Sequence, residues 1–184
     1  MVLTDREIQA AIQTKQIIVS PAPDDLAYSS TSLDLTLSKT IRIWKPVMAG
    51  VDQLVSPGAK GYSYNAFVKE YSDPKEIGLD GYILEARAFI LGWTEEDLTL
   101  PTCSRLAARV EGKSSLARLG IGVHITAPTV HAGFTGPIQL EICNNGSLRV
   151  KLIPGMPVCQ LIFEQTLGTP EKGYRGQFYG QTSV

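Results

Sequence analysis

The sequence predicts a mainly β fold of the sandwich or barrel class, with one short helix at its N-terminus. Short segments with strand-like alternation dominate residues 106–163, and turns rich in Gly, Pro and Asn separate them. With 184 residues, the chain is long enough to bury a core without disulfides or metals. We therefore expect one domain over residues 1–184, ending in a flexible C-terminal arm at about residues 168–184.

The N-terminal segment predicts the amphipathic helix, over residues 4–14. Thr4 and Glu7 have the spacing of a capping box, and Ile8 and Ala11 then recur at helical spacing. The prolines of residues 21–23 end this region, because they break regular structure.

The next segments predict strands followed by a long irregular region. Residues 32–37 alternate with a period of two, and residues 40–44 are a second candidate strand. Asp34 is expected to be an ordinary strand-surface residue. Residues 46–76 mix Gly, Pro, Ser and Lys, a composition that predicts long loops with at most short strands.

The second half of the chain predicts further strands. Residues 81–93 alternate enough for a strand pair or one long bent strand, and residues 95–101 then turn the chain. Residues 115–119 contain good helix formers and predict a short helix after a turn at Gly112. The remaining predicted strands cover residues 106–110, 123–126, 138–142, 150–153 and 158–163.

The charge balance excludes some classes of partner. Lys and Arg number 17 against 18 Asp and Glu, a formal net charge of -1, so the chain lacks the basic field that non-specific nucleic-acid binding requires. The N-terminus has no cationic start followed by an apolar run, and no segment has the length of a membrane span. We expect a cytoplasmic protein that binds neither nucleic acid nor membrane.

The cysteines and histidines do not form a metal-binding pattern. Cys103, Cys143 and Cys159 are odd in number and widely spaced, which favours reduced core thiols over disulfides or a zinc site. His124 and His131 have no metal-ligand partner at useful spacing, and the signature of zinc-dependent deaminases is absent. The sequence therefore predicts no protein-held metal.

A cationic, hydroxyl-rich turn follows residues 106–110. Lys113, Ser114, Ser115 and Arg118 lie close together where a turn is predicted to enter a helix, an arrangement that can hold phosphate oxygens. An ordinary glycine turn with a solvated Lys and a capping Ser is the commoner explanation for such a composition. The turn is not a Walker loop, because no G-x-x-x-x-G-K-[ST] run occurs.

Glu141 lies in a predicted strand between two apolar residues. Alternation places it on the same face as Gln139 and opposite Leu140 and Ile142. If that face is open to solvent, Glu141 is an ordinary surface residue. If the face lines a closed pocket, burial would raise its pKa toward the range of a general acid or base, while Arg118 would lower it again.

Taken together, these residues resemble the dCTP deaminase branch of the dUTPase-like superfamily, nearly end to end and in family order. The motifs that carry the resemblance are residues 32–37, 111–120, 123–127, 133–136, 140–142, 154–156 and 160–164. The resemblance implies a distorted jelly-roll or β-barrel-like dUTPase-like fold and a homotrimer with active sites at subunit interfaces. It also implies zinc-independent hydrolysis of dCTP to dUTP and ammonia.

The resemblance assigns roles to single residues. Glu141 matches the catalytic glutamate, and Ser114 and Arg118 match residues that support it. The remaining implied contacts are nucleotide-binding: Lys113 and Ser115 in the turn, the backbone at Thr126 and Ala127, Gln139 beside the base, and Gln160, Tyr174 and Gln181 at the triphosphate or the closing tail. Mg²⁺ is expected to bind through the triphosphate. The expected ligands are dCTP and dUTP, and dTTP is a candidate inhibitor.

Two positions depart from the family pattern. His131 stands where the family usually has an Asp that contacts the deoxyribose and, in dUTPases, activates the hydrolytic water. The imidazole can still hydrogen-bond a sugar hydroxyl, but dUTP hydrolysis is disfavoured. The tail matches only loosely, with Gln177 as the rival of Gln181. Two alternatives remain: a bifunctional enzyme that forms dUMP and pyrophosphate, and a non-catalytic deoxynucleotide-binding regulator.

Overall fold

A computed structural model describes residues 1–47 and 54–174. Its helices are α1 (Asp5–Gln13), α2 (Tyr64–Tyr71) and α3 (Ser114–Ala117), with 3-10 turns at Asp25–Ala27 and Thr102–Ser104. The strands are β1 (Ile18–Ser20), β2 (Tyr28–Ser29), β3 (Ser32–Trp44), β4 (Ser72–Glu76), β5 (Tyr82–Leu84), β6 (Phe89–Thr99), β7 (Leu106–Gly112), β8 (Ile121–Gly122), β9 (Thr129–Val130), β10 (Thr135–Asn144), β11 (Val150–Leu152) and β12 (Pro157–Gln165). The predicted mainly β class is confirmed.

One curled antiparallel sheet contains most of the strands. Its order is β8-β10-β6-β3-β12-β7-β9, with β1 beside β6 and with β2 and β4 beside β3. The first part of β3 pairs with β12, whereas its later part pairs with β6 and β4. β5 and β11 form a separate two-stranded sheet. The long strand β3 therefore joins the two halves of the curled sheet.

The core forms on the inner face of this curl. Leu33, Leu35 and Leu37 of β3 are fully buried, as is Phe163 of β12. On β10, Leu140 and its apolar neighbours two residues away are also buried, while the polar residues between them are half-buried. Full burial of one such side chain contributes about 1.5–3 kcal/mol, so this alternation fixes the register of β10.

Helix α1 confirms the predicted N-terminal helix. Ile8 and Ala11 face the core, as their spacing indicates. The Thr4 hydroxyl donates a hydrogen bond to the Glu7 carboxylate, but the Thr4 side chain makes no capping hydrogen bond to the helix backbone, so the predicted capping box is not fully formed. Residues 32–37 and 40–44 are also strands as predicted, but they are continuous parts of β3.

The prediction of long loops with at most short strands over residues 46–76 allows for β4, but it is wrong for residues 64–71, which form the helix α2. Tertiary contacts stabilise this short helix. Val68 packs on Leu91 and Trp93 of β6, and the Arg42 guanidinium donates to the carbonyl oxygens of Val68 and Ser72 at the end of α2. An eight-residue helix is not stable by itself, so the local sequence indicates this helix only weakly.

Two other predictions in the second half need correction. Residues 95–101 do not turn the chain as a unit, because β6 continues to Thr99 and pairs with both β1 and β10. Residues 123–126 are not a strand. The Ile125 amide donates to the Glu141 side chain at 3.1 Å, so this segment bends toward a carboxylate.

The three cysteines, all of which lie in the described residues, form no disulfide. Cys159 is buried and Cys143 half-buried, but Cys103 is exposed in the turn Thr102–Ser104, so the prediction of a core thiol is wrong for Cys103. Burial raises the pKa of the Cys159 thiol far above its ordinary value, and the carboxylates of Glu96 and Asp34 raise it further. Cys159 is therefore an unreactive core residue.

Within residues 1–47 and 54–174, none of the helices has the length and apolar character that a membrane crossing requires. The described part of the predicted C-terminal arm, residues 168–174, has no helix or strand. Its last residue, Tyr174, donates its backbone N–H to the Ala132 carbonyl oxygen at 2.9 Å. The rest of the predicted arm lies outside the described residues.

Replacing Gly120 by alanine should destabilise the protein. Gly120 has a φ of +90°, and an added Cβ would lie 2.4 Å from the backbone nitrogen of Gly146. We expect the free energy of unfolding, measured by urea titration at fixed protein concentration, to fall by about 2 kcal/mol or more. Gly58→Ala is the matched control, because nothing lies within 4 Å of the added Cβ. Equal losses in the two variants would contradict this account.

Candidate active site

A cleft of about 320 Å³ lies between β10, the start of α2 and the segment around β9. Five of the predicted site residues line it. They are Ala127, His131, Gln139 and Glu141, and Tyr174 from the C-terminal segment. Tyr64 and His124 complete its polar wall. None of the described Lys or Arg residues lines the cleft.

Glu141 lies in the wall of this cleft and not on an open surface. One carboxylate oxygen accepts the backbone N–H of Ile125 at 3.1 Å, which orients the group. Its cross-strand neighbour on β6 is Leu91, and Trp93 is the neighbour of Gln139; both are buried. Residues opposite each other in a ladder share a face, so large apolar side chains bound the polar face of β10 on one side. Glu141 therefore lines a cleft and is not an ordinary surface residue.

Gln139 is held by a residue that the sequence analysis did not identify. The Tyr64 hydroxyl donates to the Gln139 Oε1 at 3.1 Å. Burial raises the pKa of Tyr64 above its ordinary value, and the nearby Glu141 carboxylate is the next largest cause. The phenol therefore stays protonated, and able to donate, throughout the neutral range.

His131 and Tyr174 form a stacked pair at the cleft. Their ring centroids are 5.9 Å apart with an interplanar angle of 18°. The ring of Tyr174 also contacts Phe134, with a distance of 6.4 Å between the two centroids. The intervening Gly133 has a φ of +92°, and a Cβ there would lie 2.6 Å from the Tyr174 nitrogen. Gly133 thus permits the close approach that brings Tyr174 to the cleft.

His124 also lines the cleft, and its Nδ1 is buried. Among the described residues this atom has no hydrogen-bond partner. A buried polar atom without a partner costs about 1–3 kcal/mol, so a ligand or a water in the cleft would gain by bonding to it. The imidazole is a candidate ligand contact that the sequence analysis left outside the site.

The cationic turn lies apart from the cleft lining. Ser114, Ser115 and Arg118 are exposed, and α3 spans Ser114–Ala117, close to the short helix predicted at residues 115–119. Buried Leu116 anchors the turn to the core. Three exposed side chains with two hydroxyls and one guanidinium are suited to bind an anion that approaches from outside the chain.

Lys113 pairs with Asp34, and both are mostly buried, with side-chain exposures of 23% and 13%. The expectation that Asp34 is an ordinary surface residue is therefore wrong. Gln160 is held nearby: its Oε1 accepts the Ser32 hydroxyl at 2.7 Å, and its Nε2 donates to the Gly112 carbonyl oxygen at 3.0 Å. These bonds tie the turn to β3 and β12.

In the described ranges, no three of the residues His, Cys, Asp and Glu come together in a group that could hold a metal ion. The cleft instead offers one carboxylate, amide and hydroxyl groups, two imidazoles and aromatic faces. Such a lining suits a flat polar ring, with the carboxylate as the group that can take and return a proton.

Comparison with known proteins identifies the family of this chain. The family model described as dCTP deaminase-like matches residues 2–166. The chain belongs to this dCTP deaminase-like family. A protein of Persephonella marina named "dCTP deaminase, dUMP-forming" is 35% identical over 181 residues, which cover 98% of this chain and 93% of that protein. A protein of Marinomonas sp. (strain MWYL1) named "dCTP deaminase" is 33% identical over 190 residues, 100% of this chain and 95% of that one.

Solved structures support the dUTPase-like fold. The 2'-deoxycytidine 5'-triphosphate deaminase from Agrobacterium tumefaciens superposes with a TM-score of 0.67 at 23% identity, covering 89% of this chain and 48% of that chain. The dUTPase from phage phi11 of S. aureus has a TM-score of 0.50 at 9% identity, covering 87% and 96%. At these identities the likeness concerns the fold alone.

In this dCTP deaminase-like chain, the predicted site residues fall into two groups. Ala127, His131, Gln139, Glu141 and Tyr174 meet at the cleft. The predicted residues that do not line it are Lys113, Ser114, Ser115, Arg118, Thr126 and Gln160. Gln181 and its rival Gln177 lie outside the described residues. The chemical roles of all these residues stay predictions.

Sequence reasoning missed Tyr64 because the surrounding segment was interpreted as loop. Ser63, which accepts the Ala66 N–H at 3.4 Å, is an N-cap, and the aromatic residues after it recur at helical spacing. This pattern was the available signal. It does not indicate which strand the helix covers, since that contact involves residues far away in the sequence.

The buried pair between Asp34 and Lys113 should stabilise the turn more than an exposed pair would. We expect Asp34→Asn to lower the free energy of unfolding by about 1–3 kcal/mol, because Lys113 loses its partner in a mostly buried position. Glu76→Gln, which breaks an exposed pair with Lys39 at 3.5 Å, is the control and should cost less than ~0.5 kcal/mol. Urea titrations of both variants check the difference, and a silent Asp34→Asn would contradict it.

Proposed function

We propose that this chain catalyses the hydrolytic deamination of dCTP to dUTP and ammonia, with Glu141 as general acid and base. The observation that carries the proposal is the half-buried Glu141 carboxylate, oriented by the Ile125 amide in a cleft lined by polar and aromatic groups. Membership of the dCTP deaminase-like family supports the choice of substrate.

The proposed chemistry needs one group that moves protons. Glu141 takes a proton from water as the water oxygen adds to C4 of cytosine. The carboxyl group delivers this proton to N3 and then moves the proton of the new C4 hydroxyl to the exocyclic nitrogen, so that the C4–N bond breaks, ammonia leaves and C4 becomes a carbonyl. Because one Glu141 oxygen is held by the Ile125 N–H at 3.1 Å, the other is the proton carrier in this scheme. The backbone at Thr126 and Ala127 is proposed to hold the base and the water.

The phosphate half of the site is proposed to come from a neighbouring copy of the chain in a homotrimer. A triphosphate needs cationic and hydroxyl partners, and none of the described Lys or Arg residues lines the cleft. The exposed turn with Ser114, Ser115 and Arg118 provides such groups facing away from its own chain. We assign Ser114 and Arg118 to support of the reacting centre and Lys113 and Ser115 to the phosphates.

The remaining assignments also follow the resemblance. Gln160, Tyr174 and Gln181 are proposed to contact the triphosphate or to close the C-terminal arm over the nucleotide, and Gln139 and His131 to contact base and sugar. Mg²⁺ is proposed to arrive with the triphosphate, and zinc is not required. We place the enzyme in the cytoplasm, with dTTP as a candidate inhibitor.

A bifunctional enzyme that continues to dUMP and pyrophosphate is the second candidate. The name of the Persephonella marina relative, which ends in "dUMP-forming", favours it. His131 argues against it, because the position expected to hold the water-activating Asp carries an imidazole stacked on Tyr174. Chromatography of the products from dCTP and from dUTP decides between them: pyrophosphate from either nucleotide would favour the second candidate.

Removing the proton carrier should abolish turnover without unfolding the chain. We expect Glu141→Gln to lower kcat for ammonia release from dCTP and Mg²⁺ by about 10³-fold. Glu95→Gln removes an exposed carboxylate of β6 that does not line the cleft, and should leave kcat unchanged. Full activity of Glu141→Gln would reject the mechanism, and dCTP binding by the wild-type protein without any product would instead favour a non-catalytic regulator.

Subunit complementation tests whether the site is shared between chains. Glu141→Gln and Arg118→Ala are each expected to be inactive as homo-oligomers. After co-refolding in equal amounts, a site built from two chains receives both wild-type residues in roughly a quarter of cases, so about that share of the activity should return. A site contained in one chain would regain none. Ammonia release before and after mixing measures the difference.

A further inference from the structure

We propose that Tyr64 is a positioning residue for the nucleobase, which orients the Gln139 amide so that its Nε2 is the hydrogen-bond donor toward a pyrimidine acceptor beside Glu141. This inference rests on the proposed function and adds a specificity determinant from α2, outside the motifs that carry the family resemblance. The juxtaposition of three cleft-lining side chains, Tyr64, Gln139 and Glu141, motivates it.

The hydrogen bond from Tyr64 to Gln139 limits what the amide can offer a ligand. The phenol donates to Oε1 at 3.1 Å, and both side chains are half-buried. A glutamine amide has one acceptor oxygen and one NH₂ group. Tyr64 engages one of the two lone pairs of this oxygen, which fixes which side of the amide carries Oε1 and leaves the Nε2 hydrogens as donors for a ligand.

The hydroxyl is held firmly enough to orient another side chain. Tyr64 is the first residue of α2, directly after the N-cap Ser63. The other end of the helix is fixed by the Arg42 guanidinium, which donates to the Ser72 carbonyl oxygen at 2.9 Å. Val68, between these ends, is buried against β6. The anchored C-terminal end and the buried centre leave α2 little freedom to shift along the sheet.

The electrostatic surroundings keep the phenol in its donating form. Burial and the Glu141 carboxylate both raise the pKa of Tyr64, while Arg42 lowers it to a smaller extent. A protonated Tyr64 at every pH near neutrality means that the orientation of Gln139 does not change with the proton transfers of the reaction.

The strand geometry separates the two polar contacts with the base. Gln139 and Glu141 are two residues apart on one face of β10, a spacing of roughly 6.5–7 Å between their Cα atoms. If Glu141 works at C4, Gln139 meets a different part of the ring. An Nε2 donor suits the acceptors O2 and N3 of cytosine. Uracil retains O2 but carries a hydrogen at N3, so the contact discriminates between the two bases only if it is made to N3.

A double-mutant cycle on dCTP binding tests the coupling. We would prepare Tyr64→Phe, Gln139→Ala and the double variant, each combined with Glu141→Gln so that turnover does not interfere, and measure the Kd for dCTP with Mg²⁺ by calorimetry. Tyr64→Phe should weaken binding by about 5- to 20-fold. In the presence of Gln139→Ala, the same change should have an effect of less than about 2-fold, because the side chain that Tyr64 orients is absent.

Tyr71→Phe is the matched control. It removes a phenol hydroxyl from the other end of the same helix, outside the cleft lining, and should change the Kd by less than about 2-fold. Thermal melting verifies that all variants fold. Kinetics with Glu141 intact add a second readout: Tyr64→Phe should raise KM for dCTP more than it lowers kcat. Measurement of the Kd for dUTP then tells whether the oriented donor meets N3 or O2.

The outcomes separate the inference from the proposed function. An unchanged Kd in Tyr64→Phe, or an equal loss with and without the Gln139 side chain, overturns the positioning role while leaving deamination intact. Wild-type protein that binds dCTP but releases no ammonia overturns the proposed function. The double-mutant cycle would still measure the coupling between Tyr64 and Gln139 in dCTP binding. A chain that binds no dCTP overturns both.

Discussion

The pairing of β10 with β6 is the constraint on which the candidate site depends. Leu140 is buried in the core, so the alternation of β10 turns Gln139 and Glu141 to the other face. Their ladder partners Trp93 and Leu91 bring large apolar side chains to that same face, and α2 packs over them. A slip of one residue would bury the carboxylate and expose the leucine. The hydrophobic core therefore selects the face on which Glu141 lies, and α2 turns that face into a cleft.

The same fold keeps the cationic turn apart from the carboxylate. Lys113 pairs with Asp34 of β3, and the Gln160 amide connects the turn to β12. These bonds direct the turn away from the lining of its own chain's cleft, which carries Glu141 and no described Lys or Arg. In the proposed trimer, the cationic turn of one chain meets Glu141 of its neighbour only when the subunits assemble.

Sequence reasoning recovered the parts of the site that local patterns encode. The alternation around Glu141 gave its face correctly, and the cationic turn fell close to the observed α3. Tyr64 could not be placed in this way, since α2 owes its stability to Arg42 and to β6. Residues 123–126 have the composition of a strand, yet the Ile125 backbone N–H donates to the Glu141 carboxylate and not to a neighbouring strand. In each failure a long-range contact outweighed a local propensity. The assembly of the cleft therefore depends on tertiary contacts that composition and periodicity do not contain.

The departure at position 131 changes what the cleft can do with a nucleotide. An aspartate there would present a carboxylate to a sugar hydroxyl or a water, whereas His131 offers a flat ring on which Tyr174 stacks. The stack lies where Gly133 allows the C-terminal segment to approach, and the Tyr174 backbone bonds to Ala132. The imidazole thus contributes to docking the segment that leads into the predicted closing arm. Glu141 is the carboxylate of the cleft lining within the described residues. In the proposed mechanism one carboxylate suffices for deamination at C4, whereas attack of a water on the triphosphate anhydride would need a base of its own.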